Sequence, residues 1–343
     1  MTTIDYQSDE VFTAIQSTLV EHTAFTTAYN RVRQVYRRAQ VSKEPVCIPI
    51  HGESRTGKTT ILDELSNAYP PVRHDEGLEV PVLQVSTPSE PTVMGLVELM
   101  LSALGDPRFY IGTKTRKTNR LIKLLKAANT RVVSIDEFQH FVDKSSFKVL
   151  HHVADWLKVL VDQAKVGLIV AGLPRCQAVI EQNEQLRGRF LAPVKMPRFD
   201  WTDEESRSQF VAVLASFQES IDRFFDVPRF DTANLAFRIY VGCGGLVGYV
   251  AKFLDQLVWN AAESGTKAIM LADFHAAHAE AVWKDEAKCH GPSPFSEEFD
   301  ADPKKEATLA VARQVGIESD GAEKTPKKVP SSKPQTMNEV LRT

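Results

Sequence analysis

The chain contains 343 residues, of which 43% are hydrophobic and 25% charged, the composition of an ordinary globular protein. Its formal net charge of −3 provides no overall attraction to nucleic acid, so any such binding would need a local basic patch. The four cysteines are scattered, without a C-x-x-C pair or clustered histidines, which argues against a zinc site and a disulfide framework.

Strands and helices are predicted to alternate over the first two hundred residues. A helix is predicted at 11–40, and its second half is basic, with Arg31, Arg33, Arg37 and Arg38. Apolar runs of strand length follow at 46–51, 80–85, 131–135, 166–172 and 194–196. Helical patterns separate them, at 59–68, 92–104, 116–128 and 145–163, with a short helix before the last strand. This alternation implies βαβ crossovers and an α/β fold, a five-stranded parallel sheet flanked by helices.

The strand pattern stops after Pro197. The helices predicted beyond it form a small all-α domain and lie at 202–220, 232–241, 246–262 and 271–287. Thr202 and Glu205 have the spacing of a capping box at the start of the first of these helices. Prolines, lysines, serines and acids dominate from residue 290, so 290–334 is predicted to be mostly disordered.

The strongest motif lies between the first predicted strand and the helix after it. Residues 52–59 read G-E-S-R-T-G-K-T and match G-x-x-x-x-G-K-[ST]. In such a loop backbone N–H groups cradle phosphates, the lysine reaches the β- and γ-phosphates, and the last hydroxyl ligates Mg²⁺. A chance match is the alternative, but the strand–loop–helix context argues against it. The predicted ATP-binding residues are Gly52, Glu53, Ser54, Arg55, Thr56, Gly57, Lys58, Thr59 and Thr60.

An acidic pair ends the third predicted strand, at the sheet edge where ligands bind in open α/β sheets. Asp136 and Thr59 are predicted to hold Mg²⁺. Glu137 is predicted to polarise the water that attacks the γ-phosphorus, with Lys58 as the cationic phosphate contact. A solvated turn would be the alternative for an isolated Asp-Glu pair.

Two arginines precede the fifth predicted strand, Arg187 and Arg189. In-line phosphoryl transfer needs positive charge on the far side of the γ-phosphate. At this place in such a fold an arginine commonly points at the nucleotide of a neighbouring subunit, which would make the enzyme complete only as an oligomer. A surface arginine pair is the alternative.

These features resemble AAA+ ATPases and, more narrowly, the TniB/TnsC group, the ATP-dependent target-selection regulators of bacterial transposons. The resemblance spans about 21–282 and rests on the phosphate loop, D-E-F-Q-H at 136–140, A-G-L-P at 171–174, the arginine pair and a helical lid. It implies a ring or helical homo-oligomer that binds double-stranded DNA with ATP and Mg²⁺. It also implies recruitment of a transposase, a separate target-selector protein, and disassembly driven by hydrolysis.

The resemblance divides the chain into an N-terminal helical segment (1–40), an AAA+ P-loop core (41–200), a helical lid (201–287) and a largely disordered tail (288–343).

The sequence departs from the wider AAA+ pattern in two places, and both departures predict weak ATP hydrolysis. The fourth strand ends in Ala171-Gly172, where many members carry a polar sensor residue. The lid segment 242–249 lacks the arginine that often contacts the γ-phosphate.

One stretch of the chain is strongly basic. Between Asp106 and Asp136 there are eight basic residues and no acidic one. The predicted DNA-binding residues lie in and just after a Gly/Thr-containing loop, suited to backbone phosphates, and are Lys114, Arg116, Lys117 and Arg120. A solvated helix face is the alternative. The arginines at 31–38 could serve subunit packing or line the nucleotide site.

Two other functions compete with transposition control. A replication initiator or loader of the AAA+ class would often carry a winged-helix module after the lid, and no such pattern follows here. A signalling NTPase switch without a DNA role is the second competing function.

The polar N-terminus is unlike a signal peptide, and no apolar run approaches the ~20 residues of a membrane span. A cytoplasmic protein without membrane contact is therefore expected.

Overall fold

The computed structural model describes residues 9–42, 44–143, 147–282 and 292–316. Its strands are β1 (Cys47–Gly52), β2 (Val72–His74), β3 (Gly77–Glu79), β4 (Val82–Ser86), β5 (Val132–Asp136), β6 (Gly167–Gly172) and β7 (Val194–Met196). The helices up to β7 are α1 (Asp9–Thr13), α2 (Thr23–Val41), α3 (Lys58–Ala68), α4 (Val93–Ala103), α5 (Lys114–Ala127), α6 (His140–Asp143), α7 (Phe147–Ala164), α8 (Gln177–Ile180) and α9 (Glu184–Arg187). Those after β7 are α10 (Glu204–Ile221), α11 (Ala233–Cys243), α12 (Val247–Ser264), α13 (Leu271–Ala281) and α14 (Glu306–Gln314).

Five strands form one parallel sheet in the order β4-β5-β6-β1-β7. Every residue of β1, β5 and β6 is buried, as expected for strands covered by helices on both faces. The predicted five-stranded parallel sheet is confirmed. A separate antiparallel hairpin of β2 and β3 was not predicted, because its six residues are largely exposed and carry no apolar pattern.

Proline in an inner strand is unusual because it cannot donate to the ladder. Pro49 lies in β1 opposite Val170 of β6. On the other side of β1, regular pairing with β7 begins only at Ile50, after an isolated bridge at Cys47. Pro49 therefore falls in the gap of the β1–β7 ladder, which explains why the strand tolerates it.

Alternate strand residues face two separate hydrophobic clusters, as the period of two in a strand requires. Helices α2 and α3 cover one face, where Ile48 and Ile50 of β1 pack with Val35 and Leu65. Helices α4, α5 and α7 cover the other face, and their buried residues include Trp156. The three layers place the carboxyl ends of β1, β5 and β6 together at one edge.

The helices after β7 build a second core that is rich in aromatic rings, including Phe210, Tyr240 and Phe253. Helix α1 also belongs to it, because the ring of Phe12 lies 4.4 Å from that of Trp259. The single helix predicted at 11–40 is therefore wrong. The chain breaks between α1, which packs on the helical domain, and α2, which packs on the sheet.

Part of the predicted disordered tail is ordered and belongs to the helical domain. Phe295 stacks on Phe253 with ring centroids 5.0 Å apart, and Leu309 of α14 is 4% exposed. The guanidinium of Arg238 donates to the carbonyl oxygens of Pro294 (2.6 Å) and Ser296 (2.9 Å). The prediction of disorder is thus wrong for 292–316. The rest of the predicted tail, 288–291 and 317–343, lies outside the described residues.

Two helices begin at residues other than those predicted. The capping box at Thr202 is wrong, because Asp203 caps α10 by accepting from the N–H of Ser206 at 2.8 Å. Thr202 instead donates its N–H and its hydroxyl to Asp200 Oδ1. Helix α5 begins two residues earlier than predicted, with Thr113 as its cap.

Within the described part of the chain, no single helix is both long and apolar enough to cross a membrane. Helices α11 and α12 pass that test of length and composition only as a pair, and they are bent by 108° relative to each other.

Candidate nucleotide site and basic surface

The phosphate loop, residues 52–59, connects β1 to α3 as predicted. Gly57 caps α3 with φ +89°, a conformation that favours glycine. A Cβ at Gly52 would lie 2.5 Å from the carbonyl oxygen of Met196, so a side chain there would collide with β7. Arg55 also has a positive φ of +68°. The loop therefore brings the free N–H groups of the first turn of α3 to the carboxyl edge of the sheet.

Lys58 is the first residue of α3 and is 8% exposed. Its Nζ donates to the carbonyl oxygens of Gly52 at 3.0 Å and Glu53 at 2.6 Å. Burial lowers the pKa of the ammonium group, and the charges of Asp136 and Glu137 oppose that shift. The cation is thus held on the loop in the field of the two acidic residues that end β5.

Asp136 and Thr59 are brought together as predicted. The Thr59 hydroxyl donates to Asp136 Oδ2 at 2.6 Å, and the N–H of Glu137 donates to Asp136 Oδ1 at 2.8 Å. A hydroxyl and a carboxylate are the hard oxygen ligands that Mg²⁺ takes, often with phosphate oxygens completing the shell. Among the described residues no group of three or more His, Cys, Asp or Glu could hold a metal alone. The pair therefore fits an ion shared with a nucleotide.

Glu137 follows β5 with a positive φ of +52° and leaves 45% of its side chain exposed. The amide of Gln139 holds it, because Gln139 Nε2 donates to Glu137 Oε2. The other end of that amide, Oε1, accepts from the backbone N–H of Leu173 at 3.1 Å. Gln139 is 6% exposed, so both ends of a buried amide are satisfied.

Gln139 also changes the interpretation of the missing sensor residue. A Cβ at Gly172 would lie 2.5 Å from Gln139 Oε1, so the end of β6 lacks a side chain where the amide sits. A polar group therefore does occupy this place, supplied from the chain after β5. Sequence reasoning missed Gln139, although its position two residues after Glu137 was the available signal.

Glu53 and Arg55 link the phosphate loop to the helical domain. Arg198 Nε donates to Glu53 Oε1 at 2.9 Å, and the same guanidinium donates to the carbonyl oxygen of Val315 at 3.1 Å. The carbonyl oxygen of Arg55 accepts from the N–H of Gly248 at 2.9 Å. Both contacts place the start of α12 and the end of α14 against the loop.

The remaining loop residues have simpler positions. Thr56 is buried, and its hydroxyl donates to the carbonyl oxygen of Glu53 at 2.9 Å. Ser54, Thr59 and Thr60 are exposed at the loop and the first turn of α3.

The structure separates the two candidate arginines. Arg189 forms an ion pair with Asp162 of its own chain, with 2.6 Å between Nη2 and Oδ1. Arg187, the last residue of α9, is exposed, and its side chain forms no hydrogen bond or ion pair with the described residues. Of the two arginines, only Arg187 thus leaves its guanidinium unpaired within the described part of the chain.

The four predicted DNA-binding residues lie in the first two turns of α5, and they are not equivalent. Lys114 and Arg116 are exposed. Lys117 is 3% exposed and forms a hydrogen-bonded ion pair with Glu98 of α4. Arg120 forms an ion pair with Asp106, with 2.7 Å between Nε and Oδ2. Lys117 and Arg120 thus have structural partners, and the predicted phosphate contacts rest on Lys114 and Arg116.

Comparison with known proteins agrees with this site. A sequence model of the bacterial TniB protein family matches residues 11–201. The matched range contains the phosphate loop, the Asp-Glu pair, Gln139, both arginines and α5. No curated protein matches the chain significantly.

Solved structures share the fold at low identity. The Aeropyrum pernix ORC2 protein, in ADPNP–ADP complexes, is 16% identical with a TM-score of 0.58 over 79% of this chain and 72% of that one. Cdc6p of Pyrobaculum aerophilum is 12% identical with a TM-score of 0.59 over 80% and 72%. The Aeropyrum pernix ORC1 protein, in complex with DNA, is 12% identical with a TM-score of 0.54 over 81% and 71%. The chain therefore has the AAA+ P-loop fold of these proteins, with a helical lid after the sheet.

Proposed function

Because this chain belongs to the bacterial TniB family, we propose that it is an ATP-hydrolysing, DNA-binding regulator of transposition. The observation that carries the proposal is the hydrogen bond between Thr59 and Asp136 beside the buried Lys58, which assembles the parts of a phosphate and Mg²⁺ site. The likeness to ORC2, solved in ADPNP–ADP complexes, supports binding of an adenine nucleotide.

The residues of the site divide the chemistry between them. Mg²⁺, held by Thr59 and Asp136, would neutralise charge on the phosphates. The ammonium group of Lys58 would leave its carbonyl partners and bind β- and γ-phosphate oxygens, supported by the N–H groups at the start of α3. Glu137, held by Gln139, would orient the attacking water and accept its proton. A neighbouring copy would supply Arg187 to the far side of the γ-phosphate.

The basic surface supports DNA as a partner. Lys114 and Arg116 are exposed in a chain whose overall charge is negative, so their placement is a local asymmetry. Contacts of this kind bind backbone phosphates and carry no sequence information. Repeating them along a ring or helical homo-oligomer multiplies a weak individual interaction. The likeness to ORC1 in complex with DNA supports the same kind of partner.

Family membership supports the partners that the site itself does not specify. A target-selection regulator would recruit the transposase and respond to a target-selector protein, and hydrolysis would end the assembly. A replication initiator is the second candidate, favoured by the fold likeness to ORC and Cdc6 proteins. At 12–16% identity that likeness extends to the fold alone, whereas the family match covers residues 11–201.

Fluorescence anisotropy with two duplexes of unrelated sequence tests the proposal. We expect equal affinity for both duplexes, a requirement for ATP, and loss of nucleotide-dependent binding in Lys58→Ala. Combined Lys114→Glu and Arg116→Glu substitutions should weaken DNA binding. They should also reduce the slope of the logarithm of the association constant against the logarithm of salt concentration by about 1.8, the value for two lost phosphate contacts. Lys267→Glu, an exposed lysine of the helical domain, is the control. Unchanged binding by the double variant would remove α5 from the interface, and strong sequence preference would contradict the adaptor role.

A further inference from the structure

The loop between α4 and α5, residues 105–112, presents two large apolar side chains to solvent. Tyr110 is 62% exposed and its neighbour Ile111 is 49% exposed. Single exposed apolar residues are common on protein surfaces. Here two adjacent ones form the tip of a loop next to the cations proposed to bind DNA, which calls for an explanation.

The loop has a defined conformation. The first and last residues of the loop are glycines with positive φ, Gly105 at +78° and Gly112 at +115°. Arg120 of α5 fixes its centre by donating to the carbonyl oxygens of Arg108 at 2.5 Å and Ile111 at 3.3 Å. The ion pair of Arg120 with Asp106 adds a third attachment. Arg120 therefore shapes the loop, and its guanidinium is not available to phosphate.

The aromatic residues of the loop point in different directions. Phe109 packs against the core cluster under α4 and α5. Tyr110 contacts Phe109 edge to face, with centroids 5.3 Å apart and an interplanar angle of 83°, and remains exposed. The partly buried ring of Phe109 thus supports the exposed ring of Tyr110. An apolar tip held in one conformation loses little entropy when it binds.

The exposed charged residues next to the tip in the chain are basic. Arg108, Lys114 and Arg116 are exposed and lie within a few residues of Tyr110 and Ile111. Asp106 of the loop is paired with Arg120, and Glu98 of α4 is paired with Lys117. An apolar tip flanked by exposed cations complements DNA, in which apolar base faces and sugars lie between phosphates.

We infer that Tyr110 and Ile111 contact the sugars and base edges of duplex DNA and wedge against a base step, while Lys114 and Arg116 bind the flanking phosphates. Apolar side chains that insert at a base step partly unstack it and bend the duplex. This inference rests on the proposed DNA-binding function. It adds to it a contact that deforms DNA, so that a distorted or flexible site would be bound better than a stiff one.

Binding to a short duplex with 2-aminopurine at a central step, in the presence of ATP, tests the inference. The wild-type protein should raise 2-aminopurine fluorescence on binding. Tyr110→Ala with Ile111→Ala should weaken binding about tenfold or more and abolish the fluorescence rise. The salt slope should stay at its wild-type value, because no phosphate contact is lost. Tyr110→Phe should behave as wild type, since the contact needs the ring and not the hydroxyl.

Val41→Ala is the matched control, because Val41 is 84% exposed and lies outside the loop. Thermal melting of each variant, followed by circular dichroism, distinguishes loss of the DNA contact from unfolding of the protein. The Tyr110→Phe variant keeps the ring and serves as a second test if the double alanine variant does not fold. Unchanged affinity and fluorescence in the double alanine variant would overturn the inference. Normal DNA binding with loss of self-association in the same variant would also overturn the inference, because the tip would then be a contact between copies of the protein. Absence of DNA binding by the wild-type protein would instead contradict the proposed function.

Discussion

The amide of Gln139 joins the carboxylate of Glu137 to the backbone N–H of Leu173. A backbone N–H can only donate, so the Leu173 N–H requires the oxygen of the Gln139 amide, and the NH₂ group is left for Glu137. The orientation of the amide is therefore determined by its partners. Glu137, the proposed general base, is thus connected to the residue after β6 through a buried side chain.

Gln139→Ala should lower kcat for ATP about 10- to 100-fold and leave the Kd for ATP unchanged, because only the placement of Glu137 is lost. Gln139→Glu should also lower kcat, because the introduced carboxylate would repel Glu137 in place of the amide that donates to it. Steady-state kinetics and equilibrium ATP binding of the same variants would measure kcat and Kd separately.

Gln177→Ala is the control for these variants, since Gln177 is exposed and its side chain hydrogen-bonds only Glu181 within the described residues. A purely structural role for Gln139 would lower thermal stability without lowering kcat for ATP. A wild-type kcat in a folded Gln139→Ala enzyme would therefore argue against the positioning role.

Helix α14 ties the segment 292–316 to the phosphate loop. Its apolar side packs on the helical domain, and the carbonyl oxygens at its end accept from Arg198, which also binds Glu53. Because a guanidinium has several donors in one plane, a single arginine can join the loop, the lid and α14. A change of the loop on nucleotide binding would therefore reach α14 through Arg198.

Leu309→Ala should lower the free energy of unfolding by about 2–4 kcal/mol, the usual cost of removing a fully buried leucine side chain. Urea unfolding followed by circular dichroism would measure it. Lys304→Ala, an exposed residue just before α14, should change it by less than about 0.5 kcal/mol. Equal stability of the Leu309 variant and the wild-type protein would show that α14 is not part of the folded domain.

Elements with a strong local pattern could be predicted from the sequence. The five sheet strands are short, mainly apolar segments, and the phosphate loop contains glycines where a side chain would collide, such as Gly52. Helix α14 could not be predicted, because it is held by tertiary contacts of Leu309 and Val315 within a polar composition. The break between α1 and α2 was missed for a similar reason, since each helix packs on a different domain.

In the candidate site, too, some residues could be predicted from sequence motifs, whereas others depend on tertiary contacts. Lys58, Thr59 and Asp136 were found because their motifs have fixed spacing. Lys117 and Arg120 are assigned to DNA from the charge pattern, the loop composition and the resemblance, and their partners Glu98 and Asp106 lie on or just after a different helix. Charge along the sequence does not reveal which cations are already paired in the fold.

For the whole molecule, we propose that the nucleotide site of one copy is completed by an arginine of another. Arg187 is exposed and Arg189 is bound to Asp162, so Arg187 is the candidate for this role. The proposed DNA contacts of α5 would also gain from repetition, because each copy would offer only a few phosphate contacts. Nucleotide and DNA should therefore both favour assembly.

Sedimentation velocity of the Glu137→Gln protein, with and without Mg²⁺-ATP and a long duplex, tests this central claim most directly. The substitution should stop turnover and keep nucleotide bound, so the assembled state should persist. We predict large oligomers when ATP and DNA are both present, their loss in Lys58→Ala, and their weakening in Arg187→Ala. A protein that remains monomeric with both ATP and DNA would contradict the account.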